Sequence, residues 1–333
     1  MNTALPLKGV NLGGWLILER WMTPAVFAGS QAVDEYSLSQ TAHGRAAIKK
    51  HRDTFITEAD FVWLQKNKIN IIRLPVGYWL FQSNESLLPH VSYVDWVMKM
   101  AHKYKIKVII DLHGLMGSQN GNDHSGRIGN SNWFKHKSFR DETIATLEQI
   151  AKRYSHHPQL WAVQIINEPK FGVFHFKLRT FYKRAYATLS HILEPRTYII
   201  FSDGFTPRLL SGALGQSRRV IMDVHLYHGV KPWTKYVSLQ RYYKSLIRQA
   251  ALIRRLSKTQ PLIIGEWSGS LRQAEFDRLP IERHNDLVKE HVTKQIESFK
   301  YAKAWFYWNY KTEKPGVWDF RSQVDAGIIS LAD

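Results

Sequence analysis

The chain is expected to fold as one (β/α)8 barrel with elaborated βα loops, forming a single domain over residues 1–333. Three observations predict it. Eight short apolar runs, rich in β-branched residues, alternate with longer stretches of helical periodicity. The runs are continuous, which suits strands buried on both faces of a parallel sheet. A polar residue closes nearly every run, and in a barrel those ends open together on the one face where active sites lie.

In order, the runs are 7–14, 69–78, 107–114, 160–169, 197–205, 219–227, 261–268 and 302–310. Helical patterns fill the gaps. Thr57 with Asp60 reads as a capping box opening a helix over 59–67. Ile144, Leu147, Ile150 and Tyr154 recur at helical spacing, as do Leu246, Ile247, Ala250, Ile253 and Leu256. Arg248, Arg254 and Lys258 fall on the other side of the second set. That pattern is read as the outer face of a barrel helix in preference to a membrane-surface helix. A doubly wound open sheet is the competing architecture. The G-x-G-x-x-G turn of its dinucleotide-binding versions is missing.

Composition narrows the class. The length of 333 residues suits a barrel of roughly 250 residues plus insertions. Apolar residues make up 44%, enough for a large core. The absence of cysteine excludes disulfides, thiolate metal sites and cysteine catalysis. No apolar run reaches the ~18 residues of a membrane span. The start, from Met1, shows no secretory leader pattern, so a cytoplasmic location is expected, with export to an anionic cell wall as the alternative. The net charge of +18 implies a general attraction to anionic surfaces. The basic residues are scattered, so no specific nucleic-acid site is expected.

Two glutamates carry the chemistry. Glu168 ends the fourth run in Ala162-Val-Gln-Ile-Ile-Asn-Glu-Pro169, and Glu266 ends the seventh in Pro261-Leu-Ile-Ile-Gly-Glu-Trp-Ser268. A buried carboxylate is costly unless it is paired or used. Strands four and seven lie nearly opposite in an eight-stranded barrel, so the two acids can flank one sugar. That is the requirement of a glycosidase, one acid protonating the leaving oxygen and the other facing the oxocarbenium ion. Each glutamate alone could be a structural acid paired with Arg or Lys. Arg73, His113, Asn167, His225, Tyr227 and Asn309 after Trp308 also sit at run ends. Asp111-x-His113 and Asp223-x-His225 could be metal-ligand pairs, but no His-Glu-x-x-His motif accompanies them, and no metal or cofactor is expected.

Asn167-Glu-Pro169, Gly265-Glu-Trp267, Arg73, Asp111-Leu-His-Gly114, His225-Leu-Tyr227 and Trp308 resemble the signature of glycoside hydrolase family 5. Gly9-Val-Asn-Leu-Gly-Gly-Trp-Leu-Ile-Leu-Glu19, Asp34-Glu-Tyr36, Gly117-Ser-Gln-Asn-Gly-Asn-Asp123 and Trp318-Asp-Phe320 are similar to its exo-β-1,3-glucanase branch, best known from fungi. The resemblance implies a retaining mechanism. Glu168 would be the acid/base and Glu266 the nucleophile, with Arg73 and Tyr227 bonding Glu266. Asn167 would bind the sugar 2-hydroxyl, His113 and His225 the sugar and the acid/base, and Trp308 would lie under the ring. Glu19 and Asp123 would bind outer hydroxyls of a terminal glucose. Their bland readings are a pair with Arg20 and a solvated loop acid.

One departure stands out. The fungal branch has Phe where this chain has Asn122, and that Phe belongs to an aromatic clamp. Trp133 or Phe134, downstream in the same loop, could replace it or could anchor the loop. The expected function is release of glucose from β-glucan, β-1,3-linked first, with transglycosylation as a side path, by a monomer. The alternatives are a β-1,6-glucanase, an endo-acting β-glucanase, a β-glucosidase on small or lipid-linked glucosides, or a non-catalytic carbohydrate- or polyanion-binding protein.

Overall fold

A computed structural model describes residues 5–82, 87–170, 175–215, 217–228 and 237–331. Eight parallel strands close on themselves in sequence order, β1 (Leu7–Asn11), β2 (Ile71–Gly77), β3 (Lys107–Gly114), β4 (Leu160–Gln164), β5 (Tyr198–Ser202), β6 (Val220–Leu226), β7 (Leu262–Trp267) and β8 (Ala304–Tyr307). Each lies inside one of the eight expected runs. The competing open sheet is ruled out by the pairing of β8 with β1, Leu7 beside Ala304 through Val10 beside Tyr307.

Side chains alternate along each strand, so the two faces of the sheet collect different residues. Outward-facing Ile72, Leu74, Val108, Ile110, Val163, Ile199, Met222 and Ile264 belong to the main core between strands and helices. Inside the barrel, Ile71, Ile109, Ala162, Ile200, Ile221, Ile263, Ala304 and Phe306 form a dry floor. Two residues further along the strands the inward positions turn polar, at Arg73, Asp111, Gln164 and Asp223. Two further again come His113 and His225. The period of two thus stacks an apolar floor, a polar layer and a functional rim.

The helices cover this barrel by their apolar faces. In Lys137–Tyr154 the buried residues include Ile144, Leu147, Ile150 and Tyr154, the face read from the sequence. The helix at the capping box runs over Glu58–Lys66, and Asp60 Oδ2 accepts from the Thr57 backbone N–H at 2.7 Å. In Leu239–Leu256 the sequence reading needs one correction. Leu246, Ile253 and Leu256 are buried, but Ile247 is 74% exposed. Its position falls on the outer side, among the cations. Among the described residues no helix is long and apolar enough to cross a membrane.

Trp133 and Phe134 are core residues, 0% and 2% exposed. Trp133 packs edge-on against Phe134 and Phe181, with centroids 4.8 and 4.7 Å apart, and its Nε1 donates to Thr143 Oγ1 at 2.9 Å. They anchor the loop and do not replace a clamp. Trp133→Ala is expected to cost about 3–5 kcal/mol of stability, the usual result of emptying a large buried site, measured by urea unfolding.

Candidate active site

The rim of the barrel holds a cavity of about 370 Å³ lined by Glu168, Glu266, Glu19, Asp123, Trp308 and their neighbours. Register shifts between Val224 and His225, and between Ile264 and Trp267, set His225 beside Glu266 at the strand ends. Such bulges re-aim side chains at the end of a ladder. Gly265 gives the room for this, since a Cβ there would lie 2.0 Å from Asp223 Oδ1.

One carboxylate oxygen of Glu168, one of Glu266 and a ring nitrogen of His225 lie within 4.8 Å of one another. Carboxyl groups about 5–5.5 Å apart suit retaining hydrolysis, whereas an inverting pair needs ~6.5–9.5 Å to admit water. Both acids are buried, 7% and 5% exposed, yet both line the open cavity.

Glu266 is bonded at both oxygens. Arg73 Nη1 donates to Oε1 at 2.9 Å and the Tyr227 hydroxyl donates to Oε2 at 2.8 Å. Burial and the charge of Glu266 hold the Tyr227 phenol well above its ordinary pKa, so it stays a donor. Arg73 is fully buried. It also donates from Nε to Gln164, from Nη1 to Asn11 and from Nη2 to Asn167, at 3.0, 2.9 and 2.7 Å. Asp111 lies 3.0 Å and Asp223 3.6 Å from Nη2. Burial opposes the guanidinium charge, but Asp111, Glu266 and Asp223 outweigh it and raise its pKa.

Glu168 has a different setting. Its φ of +36° lies in the left-handed region, which costs a residue with a Cβ roughly 1–3 kcal/mol. The loop after β3 holds it there. Asn120 Nδ2 donates to the Glu168 carbonyl at 2.9 Å, and Gln119 Nε2 to the Asn167 carbonyl at 3.0 Å. His225 Nδ1 lies 2.8 Å from Glu168 Oε1 and its Nε2 lies 3.0 Å from Asp223 Oδ2. With a carboxylate at each nitrogen, the ring donates twice. Burial disfavours that imidazolium, yet Glu266 and Asp223 hold its pKa well above the ordinary value.

His113 is the opposite case. Its Nδ1 donates to Asp111 at 2.6 Å and its Nε2 accepts from Asn167 Nδ2 at 3.1 Å. Burial, with Arg73 nearby, pushes its pKa down to about 3, so it is neutral. It stacks on Trp308, with centroids 5.6 Å apart and planes 13° from parallel, and both rings line the cavity.

Glu19 and Asp123 lie together in the cavity. Glu19 does not pair with Arg20, whose Nη1 reaches the Ala32 carbonyl. Instead Glu19 Oε2 accepts from Trp21 Nε1 at 2.9 Å. Burial and the neighbouring Asp123 raise its pKa well above the ordinary value, so it can donate as well as accept. Its loop is tied down by a buried pair the sequence reading did not find, Arg52 Nη2 to Glu35 Oε1 at 2.7 Å, with Glu35 Oε2 accepting from the Leu18 N–H. Asn122, the departure noted in the sequence, lines the cavity. The aromatic mouth is built by Trp21 and Trp318, edge to face at 5.3 Å.

All ten expected site residues therefore converge. Asn309 does not join them; it bonds both N–H and C=O of Gly13. Asp111 and Asp223 are explained as partners of Arg73 and the histidines. Gln164, Asn11 and His124 were missed as site residues. Strand period was the available signal, since Gln164 is two residues beyond the floor residue Ala162.

Asp203, beside this cluster, is 4% exposed, and burial lifts its pKa to about 7. An unfolded Asp titrates near ~3.9. Between those values the folded chain holds a proton that the unfolded chain releases, so stability falls as pH rises. Asp203→Asn removes this penalty. It is expected to gain on the parent from pH 5 to pH 8, by at most about 4 kcal/mol, in thermal unfolding across pH.

A parallel barrel with two carboxylates at this spacing, on opposite strands of an open rim, defines a retaining glycoside hydrolase. The profile of Cellulase (glycosyl hydrolase family 5) matches residues 33–314. The chain belongs to that family. Probable glucan 1,3-beta-glucosidase A of Aspergillus niger is 29% identical over 357 residues, covering 95% of this chain and 85% of that one. The protein of the same name from Neosartorya fischeri is 29% identical over 367 residues, 97% and 87% of the two chains. Among solved structures, a rutinosidase from Aspergillus niger superposes with a TM-score of 0.80 at 21% identity, over 98% of each chain, a likeness of fold.

Proposed function

We propose that the chain is one catalytic unit that releases glucose from the non-reducing end of β-glucan, preferring β-1,3 linkages. The observation that carries this is the carboxylate pair facing a cavity whose lining also holds Glu19 and Asp123. Two acids able to bind outer hydroxyls suit a terminal sugar. The similar fungal proteins, named as glucan 1,3-beta-glucosidases, support the linkage.

In this reading the sugar lies against Trp308, with its anomeric carbon between the two glutamates. Glu266 attacks, its charge directed by Arg73 and Tyr227, while Glu168 protonates the departing oxygen. His225 bonds Glu168 Oε1 and His124 Nε2 lies 3.6 Å from Oε2, the oxygen that carries the proton in this reading. Asn167, fixed by Arg73 and His113, is placed to bond the 2-hydroxyl. Glu168 then deprotonates a water, or a second sugar, which releases the glucosyl ester.

A product panel on laminarin, pustulan and cellobiose-type oligosaccharides tests the assignment. Glucose as the first and dominant product from laminarin is expected. A ladder of larger oligosaccharides from the outset would contradict exo action, and faster release from pustulan would contradict the linkage. Asn122, which supplies no ring face for a second glucose, favours smaller glucosides as the second reading.

A further inference from the structure

A second cavity, of about 720 Å³, lies between the end of β6 and the helix Leu239–Leu256. It shares Tyr227 with the catalytic cavity. His225, which bonds Glu168 Oε1, also lines it. The general acid of a glycosidase stands on the side where the leaving group departs. The second cavity reaches, through His225, the flank of Glu168.

Its outer wall is cationic. Arg241, Lys244 and Arg248 follow at spacings of three and four, which puts them on one helix face. All three side chains are exposed, and none forms an ion pair with an acid of the described residues. The helix itself contains no Asp or Glu. Among the described residues the one acid lining the cavity is Asp203, whose pKa of about 7 leaves it only partly charged near neutrality. Across the helix, Glu275 is held by Arg272 and lies within reach of Arg278, so it does not neutralise the wall. Nothing in the hydrolysis of a neutral glucan uses three unneutralised cations here.

Resting on the reading of Glu168 as general acid, we propose that this cavity is an aglycone site for an anionic leaving group, one carrying a carboxylate or phosphate that Arg241, Lys244 and Arg248 bind. Guanidinium and ammonium groups at the mouth of a cavity recognise oxyanions by charge-assisted hydrogen bonds. The chain would then act on glucosides of acidic alcohols, or on glucans with acidic substituents, in preference to their neutral counterparts.

The test is calorimetric binding to the chain stalled by Glu266→Gln, with three probes that share one shape. These are the β-glucosides of 4-hydroxybenzamide, 4-hydroxybenzoate and 4-hydroxyphenyl phosphate. At low salt one or both anionic probes are expected to bind about tenfold more tightly than the amide, with the advantage shrinking as salt screens it. The stronger of the two names the oxyanion. Arg241→Gln/Lys244→Gln/Arg248→Gln is expected to bring the affinity ratio to about one. Its replacements are exposed and keep helix propensity. Arg254→Gln/Arg255→Gln/Lys258→Gln removes the same charge away from the cavity and is expected to keep the ratio. Equal affinity for all three probes, no binding of any, or equal loss in both triple variants would overturn the proposal. Glucose release from laminarin by the parent chain is read separately, so failure here leaves the hydrolase reading standing.

Discussion

Glu266→Gln is expected to lower turnover on β-glucosides by on the order of 10⁴-fold or more, while sugar binding survives. The amide has the shape of the carboxylate, and its oxygen can still accept from Arg73. It lacks the charge that faces the oxocarbenium ion and the nucleophilic oxygen that forms the glucosyl ester. Arg73 keeps Asp111 and Asp223 as counter-charges, so the cavity does not collapse. Glu168→Gln is expected to behave differently. General acid catalysis is worth about 10²–10⁴-fold, so its loss falls hardest on glucan, whose leaving alkoxide needs the proton. Aryl glucosides with acidic phenols are expected to lose least in the bond-breaking step. Steady-state rates across a leaving-group series separate the two variants. A Glu266→Gln chain within tenfold of the parent would remove the nucleophile assignment.

Arg73→Met is expected to be the most destabilising single change at the site. Arg73 is the guanidinium that reaches all of Glu266, Asp111 and Asp223, whereas His225 reaches only Glu266 and Asp223, and the Arg73 side chain is 0% exposed. Breaking a buried pair from one side typically costs about 3–5 kcal/mol, because the abandoned charge stays buried. Here Asp111 is left with neutral His113, and Glu266 and Asp223 are left sharing His225. Arg73→Lys is not a conservative rescue. One ammonium cannot reach Gln164, Asn11, Asn167 and Glu266 as the planar fork does. Urea unfolding at pH 7 measures the loss. A Met variant within about 1 kcal/mol of the parent would show that the cation is not the hub of the polar layer.

The barrel was legible because its strands are buried on both faces. Continuous runs such as Tyr198–Phe201 have no other comfortable home, and the polar residue at nearly every run's end marked the rim. The catalytic pair was legible for the same reason, a carboxylate following an apolar strand. What escaped was the layer beneath. Gln164 and Asn11 are short polar interruptions whose partners lie 91 and 62 residues away in Arg73. No local pattern encodes such a contact. Trp133 and Phe134 were ambiguous because a loop aromatic reads alike whether it caps a cleft or fills a core. Ile247 was counted as buried because helical period alone does not say how wide the covered stripe is.

The most direct measurement is the anomeric form of the first glucose released, followed by proton NMR faster than mutarotation. Attack by Glu266 from the face opposite the leaving group, then by water on the face the leaving group vacated, with Glu168 as base, gives β-glucose first, with the α anomer growing in only by mutarotation. α-Glucose appearing first would mean that water attacks directly from the opposite side, and the paired-carboxylate mechanism built on Glu168 and Glu266 would be wrong.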